Sequence, residues 1–297
     1  MRHAKVLRIM EKNTDVIELV QGVGGLVTLP NVFIRINQLV ENPNSSTTDI
    51  ARAISQDPSF TVRMLRVANS SFYGLSSTIA TVDKAVSVIG TSQIRNLALS
   101  VSIASTFAGL PNDLVSMDNF WRHSLYCAVI ARIMARQTGG CDPEAVFTAG
   151  LLHDIGELLI FNRLPDQARD VLLLVLDNLD ELPVYEAELQ LLGFDHGQVG
   201  GELARQWNLP PLLEECIAHH HSVAEAKRYP QEVALVHLAN IFAQMAEIDT
   251  LNPEDVAAVD PRAWVMSGIG ADVDIIELLV REAQEEITEA EKLILGN

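Results

Sequence analysis

The sequence predicts an all-α fold: a multi-helix bundle preceded by an N-terminal helical lobe. Three observations carry this reading. Apolar residues recur at helical spacing in segment after segment, and no run alternates with period two for long. Aromatics make up only 5% of the chain while Leu, Ala, Ile and Val are plentiful, which favours packed helices over the aromatic and β-branched material of strands. The segments are also punctuated by N-cap residues, Asp-Pro openings and glycine stops. At 297 residues with 48% hydrophobic and 20% charged, the chain can bury a sizeable core and is not disordered.

The first helix is read over Val6 to Val20 and stops at Gly22, Gly24 and Gly25. That glycine run lacks GxGxxG spacing and follows no strand, so it reads as a helix stop and not a phosphate loop. From Pro30, a stripe of Val32, Ile36, Leu39 and Val40 runs to Asn42-Pro43. Ser45 to Thr48 supplies the N-cap of a helix ending at Ser55, and Asp57-Pro58 opens the next, with Phe60, Val62, Met64, Leu65 and Val67. Residues 69–77 read as a loop, Val82 to Ile89 as a helix ending at Gly90, and Ile94 to Phe107 as a long apolar helix. The helices at 47–55 and 59–68 have the outline of a helix-turn-helix and carry Arg52, Arg63 and Arg66. Paired amphipathic helices are common in all-α domains, and a net charge of −18 opposes nucleic acid as a partner.

In the second half, Asp118 is read as the N-cap of a helix from Asn119 to Gln137. Asp142-Pro143 opens a single helix from Glu144 to Phe161, and helices follow at Leu164 to Asp177 and Glu186 to Leu192. Asp195 and Gln198 form a capping box. Pro210-Pro211 starts a helix running to His221, Glu232 to Glu247 is another, and Asp272 to Leu295 is a long acidic amphipathic helix. That tail is expected to pack back on its own domain, the alternative being a dimer seam. Four parts follow: an N-terminal helix (1–19), an N-terminal helical lobe (20–110), a second helical lobe (111–250) and an acidic tail (251–297).

Charge separates the halves. Residues 1–150 hold 13 Lys+Arg and 11 Asp+Glu, giving +2, while residues 151–297 hold 8 and 28, giving −20. Cys127, Cys141 and Cys216 form no CxxC pair and no disulfide framework, so they read as reduced thiols. The first 20 residues are interrupted by charges, unlike a signal peptide, and no segment approaches the ~20 apolar residues of a membrane span. A cytoplasmic location with no membrane partner is the expectation.

The chemistry gathers at histidines: His123 in mid-helix, His153-Asp154 in GLLHDIGEL, His196 after the Asp195 cap, and His219-His220-His221 at a helix end. Imidazole and carboxylate groups from several helices of a bundle can converge on divalent metals such as Fe, Mn, Zn or Mg. His3 and His237 receive no role, and His219 is expected to face solvent.

At these residues the sequence resembles a known superfamily. FWRHSL, GLLHDIGEL and ELQLLGFDHGQVGGELARQWNLPPLLEECIAHHH are similar to the HD metal-dependent phosphohydrolases. LPNVFIRINQLV, ISQDPSFTVRMLRVANSSFYG and TVDKAVSVIGTSQIRNLALS resemble the HDOD domain, a divergent HD relative of bacterial signalling proteins. The resemblance implies an all-α bundle in a regulatory setting. It implies, by similarity to the HD-GYP branch of cyclic-di-GMP phosphodiesterases, that His123 and His153 serve one metal and His196, His220 and His221 a second. Asp154 would bridge the two and, in an enzyme, act as the catalytic residue that holds the attacking water.

The departures from that pattern matter. Asn240, kept as a neutral and weaker candidate metal ligand, stands where the superfamily has its last Asp ligand, Asn119 where HD-GYP proteins have a Glu, and Glu157 where HDxGK supplies a phosphate-holding Lys. SVAEA, not GYP, follows His221. The expectation is therefore a signal-transduction module with a degenerate HD metal site, one or two divalent ions, and a protein signalling partner. The alternative is a metal-dependent phosphohydrolase acting on a nucleotide or cyclic dinucleotide.

Overall fold

A computed structural model describes residues 15–21, 29–69, 78–107, 114–178, 182–247 and 259–294. All regular structure among them is helical. α1 (Val16–Gln21) comes first, and the N-terminal lobe then holds α2 (Asn31–Glu41), α3 (Thr47–Ser55), α4 (Pro58–Ala68), α5 (Val82–Ile89) and α6 (Thr91–Phe107). Helix starts follow local chemistry. Ser46 and Asp49 form a reciprocal capping box at α3, and the Asp57 side chain caps α4 ahead of Pro58. The apolar stripes point inward, burying Phe33, Ile36, Ile54, Phe60 and Met64. Arg52 is paired with Asp49 in its own first turn. Residues 1–14, the glycine run and most of the 69–77 loop lie outside the described residues.

The second lobe is built on α7 (Met117–Thr138), against which α8 (Pro143–Leu152) and α14 (Pro230–Glu247) pack. Between them come α9 (Ile155–Arg163), α10 (Pro165–Asp177), α11 (Val184–Leu192), α12 (His196–Gln206) and α13 (Pro211–His219), then a 3-10 turn at Val223–Glu225. α15 (Pro261–Ser267) and α16 (Val273–Ile294) follow α14. α1 packs on α12 of this lobe, and α16 lies back across α7 and α4. No helix among the described residues is long and apolar enough to cross a membrane.

Several boundaries differ from the sequence reading, and two place the site. The helix expected over Glu144 to Phe161 is broken at His153-Asp154 into α8 and α9. The helix expected to reach His221 ends at His219, which leaves His220 and His221 in a turn. The cap of α7 is Ser116, not Asp118, because its hydroxyl accepts the Asn119 amide. α15 and the 3-10 turn are additions to the expected elements.

Two glycines permit the close approaches that the site requires. A Cβ on Gly156 would lie 1.9 Å from the His196 carbonyl oxygen and 2.7 Å from the Gly200 nitrogen, so α9 touches α12 backbone to backbone. A Cβ on Gly201 would lie 2.6 Å from that of Ala218 and 3.1 Å from its Cα, which sets α12 close to α13 as well. These contacts draw Asp154, His196 and the His220-His221 turn into one place.

Candidate metal centre

Four parts of the second lobe deliver the side chains. α7 carries His123, the α8–α9 junction His153 and Asp154, the first turn of α12 His196, and the turn after α13 His220 and His221. Asp154 occupies the N-cap position of α9, yet its side chain makes no capping hydrogen bond. Its carboxylate is turned into the histidine cluster instead. His153 and His220 are fully buried, and Asp154, His196 and Asn240 nearly so.

Hydrogen bonds fix the ring tautomers. His153 Nδ1 donates to the Gly150 carbonyl at 2.7 Å and His220 Nδ1 to the Ile217 carbonyl at 2.8 Å. His196 Nδ1 donates to Glu188 Oε2 at 2.7 Å. In a neutral ring each remaining Nε2 carries a lone pair, and these face Asp154. His153 Nε2 lies 2.9 Å from Asp154 Oδ2, while His196 and His220 Nε2 lie 3.3 and 3.4 Å from Oδ1. His221 Nε2 is 2.9 Å from His196 Nε2, and His123 Nε2 is 3.7 Å from Asp154 Oδ2. With neutral rings acceptors would face acceptors, so each of these approaches needs a cation or a proton between the atoms, and the raised pKa of His153 and His196 lets a proton stand there. His153 Nε2 and Asp154 Oδ1 are buried without a hydrogen-bond partner. Such a constellation calls for positive charge at its centre.

Among the described residues the donors fall into three groups, two of which share Asp154: His123, His153 and Asp154; Asp154, His196, His220 and His221; and Glu157, Glu188 and His196. Within each group the ligand atoms lie within 4.8 Å of one another. Nitrogen and carboxylate donors in this number suit a divalent transition cation, and the orphaned atoms show that the residues fit one.

Titration follows the same geometry. Burial drives His220 down to about 4 and His221 well below its ordinary value, which keeps both neutral donors. Burial also disfavours charge on His153 and His196, but Asp154 and Glu188 outweigh it and raise both. Burial disfavours charge on Asp154 too, yet His153 holds its carboxyl well below the usual range.

Asn240 stands beside His123, its Oδ1 3.0 Å from Nε2. Asn119 instead accepts from Arg122, away from the cluster. Burial and the neighbouring Asp154 push the Glu157 carboxyl up to about 8. His219 turns to Ser222 and Glu225, and His237 donates from Nδ1 to the His220 carbonyl at 2.7 Å.

Three contributors escape the sequence pattern. Glu247, at the end of α14, sets Oε2 3.1 Å from His123 Nδ1. Glu188 on α11, 1% exposed, bonds both the ring and the backbone amide of His196. Tyr185, one turn earlier, stacks on His221 with ring centroids 4.2 Å apart. The one signal for Glu188 is a carboxylate beside the buried Ala187 on an otherwise apolar helix face.

Known proteins share this architecture. A solved structure called a "putative phosphohydrolase", from Shewanella amazonensis SB2B, superimposes with a TM-score of 0.75 at 25% identity, covering 95% of this chain and 100% of that one. An HDOD domain protein from Geobacter sulfurreducens gives 0.72 at 27% identity, covering 94% and 96%. An uncharacterized protein of Treponema pallidum (strain Nichols) is 24% identical over 226 residues, 75% of this chain and 43% of its own length. The chain spans less than half the length of the curated relatives it matches. The HDOD domain family model matches residues 26–223, two thirds of the 297 positions, and the chain belongs to the HDOD domain family.

Proposed function

We propose that this chain is a regulatory module of bacterial signalling that holds one or two divalent cations in its HD-derived cleft and acts through contacts with a protein partner. His123, His153, Asp154, His196, His220 and His221 would hold the cations, with Asn240 as a neutral neighbour. Fe, Mn, Zn and Mg are the candidate ions. When bound, such an ion supplies Lewis acidity.

The observation that carries the regulatory reading is the charge around the cluster. Glu157, Glu188 and Glu247 lie against its histidines. Glu157 stands where a phosphate-holding Lys is expected. With its carboxyl pushed up to about 8, Glu157 supplies no positive charge to hold a phosphate there, and the acids around the histidines favour a cation over an anionic phosphate. Asn240, being neutral, also cannot take a proton from a water. The same acidity argues against nucleic acid as the partner.

A second reading, a metal-dependent phosphohydrolase acting on a nucleotide or cyclic dinucleotide, is favoured by the gathering of all six ionisable donors at one point. The name of the Shewanella protein agrees with it. One experiment separates the two readings. Metal content is measured in the purified protein, and hydrolysis of a cyclic dinucleotide is then assayed with added Mn²⁺ or Fe²⁺. Bound metal without turnover is the expected result. Turnover abolished by Asp154→Ala would overturn the regulatory reading in favour of the enzyme, and absence of bound metal would overturn the cation site itself.

A further inference from the structure

α11 contributes no residue to the two groups that share Asp154, yet it touches two of their members, and its Glu188 falls with Glu157 and His196 in a third group. Tyr185 and Glu188 are three residues apart and so lie on one face of the helix. Glu188 Oε2 accepts the His196 ring Nδ1–H at 2.7 Å and the His196 backbone N–H at 2.8 Å. These bonds fix the tautomer and the ring plane, leaving Nε2 to face Asp154. The Tyr185 ring lies nearly parallel to His221, at 14°, and holds it edge-on against His196. α11 is packed between α10 and α12, and α10 is held in turn against α9. Leu173, Leu176 and Leu189 are exposed on these two helices.

We propose that α11 is the positioning element of the cation site: Glu188 orients His196 and Tyr185 orients His221, so that cation binding and the seating of the α10–α11 arm stabilise each other. The inference rests on the cation reading above and extends it to regulation. A carboxylate on the far nitrogen of a ligating imidazole fixes the tautomer and strengthens the donor, and losing such a partner costs 10- to 100-fold in metal affinity in general. Coupling is reciprocal, so a cation that needs α11 seated must also hold it seated. The cation would then be felt at the exposed face of the arm, without any ligand residing there.

The test uses the full chain, stripped with chelator and titrated with Co²⁺, with binding followed by visible absorption. Glu188→Gln keeps the volume and an acceptor oxygen but removes the charge. It is expected to bind Co²⁺ about 10-fold more weakly, with a shifted absorption band and parental helical content. Glu188→Ala and Tyr185→Ala are expected to weaken binding as well, and Tyr185→Phe, which keeps the stacked ring, to restore it. Parental affinity and spectrum in Glu188→Gln would overturn the positioning role. Hydrogen exchange supplies the second readout: Co²⁺ is expected to slow exchange of the Val184–Leu192 amides in the parent protein. Unchanged exchange there would overturn the coupling. If the parent protein fails to bind Co²⁺, the cation reading and this inference fall together; if it binds normally and the variants do too, this inference alone falls.

Discussion

Asp154 is the residue that two groups of donors share, and the environment explains why it takes that place. It sits at a helix start without capping it, nearly buried, with one oxygen toward His153 and the other toward His196 and His220. Its partners are lone pairs, so the carboxylate gains little unless a cation or a proton lies between them. Asp154→Asn preserves the shape and removes the charge. The variant should lose at least one equivalent of bound divalent metal per chain, measured by elemental analysis. It should also lose the thermal stabilisation that Mn²⁺ confers on the parent. A ligand binding only the native state contributes about 2.7 kcal/mol at a hundredfold excess over Kd. Chelation of the parent protein should remove the same increment, and a parent protein whose melting ignores both Mn²⁺ and chelator would contradict the site. The histidines and Asp154 were legible in the sequence because residue type and motif advertise them. Glu247 and Glu188 were not: one arrives from the far end of α14 and the other from a helix eight residues before His196, and only tertiary approach brings them to the rings.

At the scale of elements, caps were legible except at α7, where Ser116 and not Asp118 is the cap, and breaks were not legible. The capping boxes Ser46–Asp49 and Asp195–Gln198 are local, so sequence spacing reports them directly. The break between α8 and α9 leaves no such mark, because apolar residues continue across it as Leu151, Leu152, Ile155 and Leu158 and no proline intervenes. The position is tied to the contact with α12, which Gly156 permits. Adding a single methyl there tests the idea. In Gly156→Ala the new Cβ would meet backbone atoms of His196 and Gly200 at 1.9 and 2.7 Å, so α9 and α12 must separate. Overpacking typically costs about 1–3 kcal/mol, and a clash with backbone on both sides belongs at the upper end or beyond. The expected result is a stability loss of about 3 kcal/mol or more in denaturant unfolding, together with loss of metal binding. Gly270→Ala is the matched control. Its Cβ would meet only Ile275 Cδ1 at 3.9 Å, and its stability should stay within about 0.5 kcal/mol of the parent. Equal effects of the two substitutions would show that the α9–α12 approach is not what places the site.

Across the whole molecule, the −20 of the second half resolves into distinct uses of acid. Asp195 and Asp260 cap helices. Glu215 accepts the backbone amides of Lys227, Arg228 and Tyr229, and these bonds hold its carboxyl below the usual range against the effect of burial. Glu157, Glu188 and Glu247 surround the candidate centre. Glu286, together with Glu144 from the first half, flanks Arg132, which is fully buried in the middle of α7. Glu286 belongs to α16, the helix that lies across α7 of one lobe and α4 of the other, with Ile276, Leu279, Ala283 and Ile287 facing inward. The amphipathic pattern made that inward face legible; the ion pair beneath it was not, since Arg132 and Glu286 are 154 residues apart. Removing one partner from a buried charge costs more than the bond itself, because the remaining charge stays desolvated. Burial already lowers the Arg132 pKa from its usual value despite the two acids. Glu286 is partly exposed, with a side-chain accessibility of 29%, which moderates the loss. Glu286→Ala should therefore destabilise by about 1.5–3 kcal/mol, the range for hydrogen bonds to charged groups. The exposed neighbour Glu282→Ala should change stability by no more than about 0.5 kcal/mol. If the pair fastens α16 by charge and not by shape, converting both partners to apolar residues, Arg132→Met with Glu286→Leu, should recover much of the loss that either single change incurs. Denaturant midpoints of the parent, Arg132→Met, Glu286→Leu and the double variant decide it. A Glu286→Ala protein no weaker than Glu282→Ala would mean that the apolar stripe alone holds α16 across the two lobes.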